Sequence, residues 1–492
     1  MSVVSRQGFK YSLIGYFGFL LGTFSALFIF PKDIEFYGKL RFILPTAEML
    51  LPIVVFGLSF SNVKFFNKSH KVGKHHNFLS LSIVGICINY VIFLGLFFLF
   101  FYIFPNSKDL ELWKMRKLIL PLILILGLSS LLNKFISNYK RIVIPNIFEN
   151  LIPKLANLGA FCLFFFLGLN EKSAYGFFFL MFFLSFIGYF MYANSLEKIK
   201  FDFSTDYIKQ DRLYKMVFSY SLFGFLGNIG NYIAFRVDNF MIGEFLSFEE
   251  NGTYSIILSI LTFIMIPQMG LFNISAPIIN KSIEEGKYEE LDRFHKNTSL
   301  TLFFLGAVLF SCILVGFPYL TYYINSGEQL RMASPVIWIL GSAMIFDLAT
   351  GFNGHIISLS KYYRFNIVVM LLLSLMTIGL NYIFITQTDL GIVGIALATA
   401  ISLAIFNTIK IAFNYWKFKV FPITIEMVYT TILCTIAITI SIILPEANNQ
   451  LINLFLKPAI VLLIIGVGNY FMKIFPVEKY LNLKFIKSLL KF

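Results

Sequence analysis

Asp347, Asp238 and Arg236 each lie deep inside an apolar stretch of this chain. A charge at the centre of a membrane helix costs about 2.5 to 3.5 kcal/mol unless it faces protein or a wet cavity, so a charge kept there points to binding. A carboxylate at that depth suits a cation, and a guanidinium suits an anion. Asp347 stands in DLATGFNG, twelve residues into its stretch, and Gly351 and Gly354 leave that helix free to bend or open. Arg236 and Asp238, in FRVDNFMIG, are too close in sequence to point the same way on a helix, so each needs its own partner or water. Glu48, beside Pro45, is placed to pair with a distant cation. Asp347, Asp238 and Glu48 are thus candidates to hold a coupling ion, Na⁺ or H⁺, or to gate. Lys154, inside its stretch and next to Pro153, is a candidate cation. Asn89, Asn228 and Asn231 fall near mid-depth, the last two at i and i+3 on one face, suited to sugar hydroxyls or to helix–helix hydrogen bonds.

Other reactive side chains read as ordinary. Lys134, Lys410, Lys457 and Lys473 lie close enough to helix ends for their stems to carry the charge out to the interface. His70, His75 and His76 share a loop with Lys64, Lys68, Lys71 and Lys74 and read as a hydrated surface loop, not a metal site. Cys87, Cys162, Cys312 and Cys434 sit in apolar stretches as small core residues. There is no P-loop, GxGxxG in a strand–turn–helix setting, HExxH or CxxC, so no catalytic residue, cofactor or metal is expected. The 61 Phe residues are assigned to lipid-facing positions.

The elements that must position these residues are membrane helices. The 492 residues are 58% hydrophobic and 13% charged, whereas a soluble domain carries about 25% charged residues. Crossing a bilayer takes about 20 apolar residues. Fourteen such stretches are expected, at 11–30, 42–60, 78–104, 118–138, 149–169, 174–194, 216–240, 252–275, 298–324, 335–356, 364–385, 391–413, 428–444 and 451–475. The fold class is therefore an all-α polytopic membrane protein, and period-two alternation, the mark of a barrel, is missing. The first stretch is too long for a secretory leader and is expected to be retained. Pro45, Pro52, Pro121, Pro267 and Pro277 are expected to kink or interrupt helices.

The formal charge of +14 reads as an orientation signal, because Lys and Arg collect in cytoplasmic loops. With the N-terminus inside, 25 of the 40 Lys and Arg fall in cytoplasmic segments, among them Arg6, Lys10 and the tail from Lys479 to Lys491. Both termini are expected to be cytoplasmic. The polar segment 196–215 reads as a linker between two six-helix lobes, 1–195 and 216–415, with two appended helices and a basic tail at 416–492. A repeat supports this division: YSLIGYFG at 11–18 is echoed by YSLFGFLG at 220–227, and ISNYKR at 136–141 by ISLSKYYR at 357–364. An offset of six helices preserves orientation, so the lobes are expected to be parallel repeats.

RVDNFMIG (236–243), NGTYS (251–255), ISAPII (274–279), DLATGFNGHIISLSKYYRFN (347–366), NYIFI (381–385) and GIVGIALATAIS (391–402) stand in the order and spacing of a known family. On them the chain resembles the O-antigen type oligosaccharide flippases, polysaccharide biosynthesis proteins of the multidrug/oligosaccharidyl-lipid/polysaccharide superfamily. The resemblance implies a MATE-like arrangement of two lobes around a cavity and alternating access. It also implies an undecaprenyl-diphosphate-linked glycan as substrate for O-antigen, capsule or exopolysaccharide synthesis, a bacterial inner-membrane location, and a polymerase and chain-length regulator as partners. Arg236 is the matching cavity cation for the diphosphate, and Lys154, Lys361 and Arg364 are added by position. The alternatives are a lipid II-type flippase, a multidrug or cation antiporter of the same fold, and a polysaccharide polymerase or ligase. Against the last, the outer loops are short and carry no His.

Overall fold

The computed structural model describes the backbone of residues 3–476, and the side chains of 14–476 apart from 211, 269, 270 and 272–274. The Arg6 and Lys10 side chains and the basic tail from Lys479 to Lys491 lie outside the described residues. Among the described residues seventeen helices of seven residues or more follow in order: α1 (Val3–Phe28), α2 (Ile34–Val55), α3 (Leu58–Lys71), α4 (His75–Ile103), α5 (Arg116–Ser137), α6 (Ile152–Phe165), α7 (Glu171–Leu196), α8 (Leu213–Phe245), α9 (Phe248–Leu261), α10 (Ile266–Glu284), α11 (Tyr288–Leu320), α12 (Ser334–Ala349), α13 (Asn353–Leu359), α14 (Tyr363–Gln387), α15 (Gly391–Phe418), α16 (Ile425–Ile443) and α17 (Gln450–Met472). Among the described residues two compact units are built from them, one of the residues up to 256 with 370–395, and one of 257–369 with the residues from 396 onward.

Among the described residues, ten helices are long and apolar enough to cross a membrane, and twelve if each of two bent pairs counts as one span. Fourteen is not reached, because the stretches expected at 216–240 and 252–275 are helical but less apolar or broken. In the first, α8 carries Asn228, Asn231, Arg236 and Asp238; in the second, α9 gives way to α10 through a 3-10 turn at Thr262–Met265. The lone helices α5 and α11 bury 61% of their most apolar windows and α4 only 17%. The first two are therefore the central staves of their units, and α4 turns Ile88, Val91, Ile92 and Leu96 outward. Phenylalanine is not confined to outward positions: Phe36, Phe42, Phe135 and Phe161 are buried, because flat rings stack in the gaps between helices, as Phe36 does on Phe164 at 4.1 Å.

The bent pairs are α2–α3, at 47°, and α12–α13, at 48°. The first break follows Pro52 and is made by Phe56 and Gly57, both with positive φ. A Cβ on Gly57 would come within 2.0 Å of the Ser221 carbonyl oxygen, so only glycine closes this turn against α8. The second break is at Gly351, with φ of +58° and Ser299 Oγ 2.1 Å from where a Cβ would sit. Pro121 and Pro277, by contrast, lie inside unbroken helices.

The three histidines are not a hydrated loop. His75 and His76 open α4 and are 6% and 8% exposed, and only His70 is exposed. Both buried rings face Glu197, the residue just after α7, with Nε2 to Oε1 distances of 2.8 and 3.1 Å. Tyr139 donates to the other carboxylate oxygen at 2.7 Å. Burial alone would push the Glu197 carboxyl up, but these hydrogen bonds and the imidazole charges hold it down at about 2.

Candidate functional site

In the first unit α2, α3, α5, α7 and α8 enclose a cavity of about 370 Å³ with mixed charge on its walls. Arg236 projects from α8, and its Nε stands 2.5 Å from Glu48 Oε2 of α2. Lys134 of α5 joins the lining, as do Glu149, Asn133 and the α8 residues Asn228, Asn231 and Tyr232. Asn133 donates to Glu149 at 3.0 Å, while Lys134 lies over the Phe60 ring at 5.7 Å. Glu149 belongs to a π-helical turn, Ile147–Leu151, between Pro145 and Pro153. The wider turn carries 149 and 150 out of ordinary α register, and both residues reach the lining.

Of the residues singled out from the sequence, Arg236, Glu48, Asn228 and Asn231 meet at this cavity. Lys154 does not line it; its stem lies against α1, where a Cβ on Gly18 or Gly22 would come within 3.3 Å of it. Asn89 donates to the Val54 carbonyl at 3.2 Å, supplying a partner where the α2 break leaves that oxygen unpaired. Lys361 and Arg364 belong to the second unit, exposed at the turn into α14, each over the ring of the tyrosine beside it. Glu149 and Asn133 were not singled out from the sequence, and Lys134, read there as reaching the interface, lines the cavity instead. The Pro-flanked NIFENLIP segment was the available signal for Glu149; Lys134 near a helix end carried none.

Asp238 points away from Arg236 and is buried. Its oxygens accept from Tyr254 at 2.7 Å and from Asn381 of α14 at 2.9 Å. The neighbouring motif residues lock the same helices: Asn239 donates to Asn251 and Ser255, both at 2.8 Å, and Asn251 to the Gly38 carbonyl at 2.9 Å. NGTYS thus ties α9 to α2 and α8.

In the second unit Asp347 stands at the end of α12, just before the break. Asn407 of α15 donates to it at 2.9 Å, and the Lys410 ammonium attracts it. Lys410 does not reach the interface as expected. It is 7% exposed, with Nζ 3.7 Å from the Phe406 ring centroid and facing Gly354 across the break. Beside it His295, Asn353 and Asn414 form a buried chain, with Asn353 Oδ1 3.1 Å from His295 Nε2 and 2.7 Å from Asn414 Nδ2. Lys457 does not reach the interface either; it donates to the Ser441 and Leu444 carbonyls at 2.7 and 2.6 Å, capping α16. Lys473 alone of the four is exposed.

Residues 32–281 match the model of a family described as polysaccharide biosynthesis protein. Among solved structures, the fold is similar to a lipid II flippase MurJ in an inward closed conformation, with a TM-score of 0.71 at 16% identity over 94% of this chain and 98% of that one. It is also similar to an inward-facing multidrug resistance MATE family transporter of the MOP superfamily, with a TM-score of 0.63 at 14% identity over 85% and 95% of the two chains. A MOP superfamily transporter from Pyrococcus furiosus gives 0.56 at 13% identity, over 85% and 95%. No curated protein matches by sequence.

Proposed function

We propose, from the premise that the chain belongs to the polysaccharide biosynthesis protein family, that it flips an undecaprenyl-diphosphate-linked oligosaccharide from the cytoplasmic to the periplasmic leaflet. The observation that carries this reading is the cavity of the first unit, which sets two cations, Arg236 and Lys134, among amides and hydroxyls. A diphosphate needs the first kind of group and a glycan the second. Glu48 occupies Arg236, so an incoming phosphate exchanges one anion for another at the guanidinium instead of leaving it bare.

In this reading two six-helix lobes alternate access in the bacterial inner membrane, both termini are cytoplasmic, and a polymerase takes up the product outside. Two negative charges moving outward against an inside-negative potential gain about 4 to 5 kcal/mol per 100 mV, so transport needs no ATP. Asp238 is the coupling-ion candidate of the first unit and Asp347 that of the second.

The test is depletion of the protein, followed by measurement of lipid-linked glycan with a glycan-modifying probe confined to the periplasm. Glycan that accumulates out of the probe's reach is the expected result. Unpolymerised glycan already open to the probe would sink the proposal and restore the polymerase reading. Unchanged glycan would favour a small-cation antiporter.

A further inference from the structure

His70, His75 and His76 have no part in the transport reading, yet the fold stacks their three imidazoles together. The ring centroids of His70 and His75 are 4.5 Å apart, and those of His75 and His76 are 4.1 Å apart. Ligand atoms of His70, His75 and Glu197 all lie within 4.8 Å of one another. Donors on a tetrahedral zinc with bonds of about 2.0–2.2 Å stand about 3.3–3.6 Å apart, so a small closing movement suffices, and His70, exposed at the end of α3, is free to make it. The remaining Glu197 oxygen is held by Tyr139, an outer-shell bond of the kind that orients a ligating carboxylate. Nδ1 of His75 and of His76 are buried without a hydrogen-bond partner, a cost that pure hydrogen-bonded packing does not explain. Of the nearby lysines, Lys74 is turned away onto Asp202 at 3.1 Å.

We infer that His70, His75 and Glu197, with His76 as the adjoining fourth donor, form a site for a divalent transition metal of the Zn²⁺ class. Imidazole-rich donor sets select zinc over magnesium or calcium, which take oxygen ligands. The consequence is mechanical. The site joins the α3–α4 turn to the residue that begins the polar segment after α7. The same segment is stitched to α4 by Asn77, which donates to the Asp202 and Ser204 carbonyls at 2.9 and 2.8 Å. A bound ion fixes one end of that segment to the α2–α3–α4 group.

The experiment is titration of the full chain in detergent, stripped of metal, with Zn²⁺ against a chromophoric chelator, together with metal content by mass spectrometry. One Zn²⁺ per chain is expected, and Mg²⁺ in large excess should not displace it. Tyr139→Phe should weaken binding about 10–100-fold. His70→Ala, at an exposed position, should abolish the stoichiometric site while the protein keeps its elution profile and helical circular dichroism. Failure to bind Zn²⁺ saturably, or equal binding by His70→Ala, would overturn the site and leave the transport reading untouched, since neither readout involves glycan.

Discussion

The charges that line the first unit's cavity resemble in sequence those at the α12–α13 break of the other unit, but the two sets are built differently in space. The Arg236 and Glu48 side chains keep 38% and 22% of their exposure on the wall of a cavity. Lys410 keeps 7%, packed on Phe406 beside Asp347. A partly exposed pair contributes little to stability and exchanges partners readily. A buried ammonium is more demanding, because leaving it without the contacts that replace water is costly. The first arrangement suits a substrate site and the second suits a helix break that must stay in register.

That contrast can be broken by measurement. Within it the largest effect is expected from Lys410→Ala, which empties a buried position packed on the Phe406 ring and should destabilise the detergent-purified protein by about 1–3 kcal/mol, read from thermal unfolding. Asp347→Asn combined with Lys410→Met should recover most of that loss. If Arg236→Ala destabilises as much as Lys410→Ala, the two regions are not different in kind.

The two helix breaks offer a finer comparison. Gly57→Ala meets a backbone carbonyl at 2.0 Å, whereas Gly351→Ala meets the Ser299 hydroxyl at 2.1 Å, which can rotate away, and then His295 Cε1 and Ser299 Cβ at 3.1 and 3.2 Å. Both incur about 1–2 kcal/mol for a left-handed residue, and Gly57→Ala should add about 1–3 kcal/mol of overpacking. Matching melting temperatures for the two variants would contradict this ordering. Asn89→Ala removes one hydrogen bond to the α2 end and should cost about 0.5–1.5 kcal/mol with transport retained.

The smallest stability effect is expected from Arg236→Gln, at most about 1 kcal/mol. The same variant should stop glycan flipping in the depletion assay, and normal flipping with Arg236→Gln would remove that residue from the site. Asn228→Ala and Asn231→Ala should stay within about 0.5 kcal/mol of the parent while slowing transport.

Much of this was legible in order along the chain. The helical membrane class, twelve of the expected stretches, and breaks near Pro52 and at Gly351 follow from the local cost of exposing polar backbone to lipid and from the φ values that glycine alone adopts freely. Such effects are local and need no knowledge of neighbours. The deep polar residues were visible for the same reason, since each stands out against an apolar background.

What they touch was not visible. Asn228 and Asn89 both sit near mid-depth, yet one lines a cavity and the other caps a broken helix. Lys134 and Lys410 both lie near helix ends, yet one enters a cavity and the other is buried beside Asp347. The histidines have the composition of a solvated loop around them, and it is Glu197, more than a hundred residues away, that turns two of them inward. Composition and depth by themselves determined which residues needed partners. Only tertiary structure decided which partners they found, because that choice depends on how each helix is rotated about its axis and packed against helices distant in sequence.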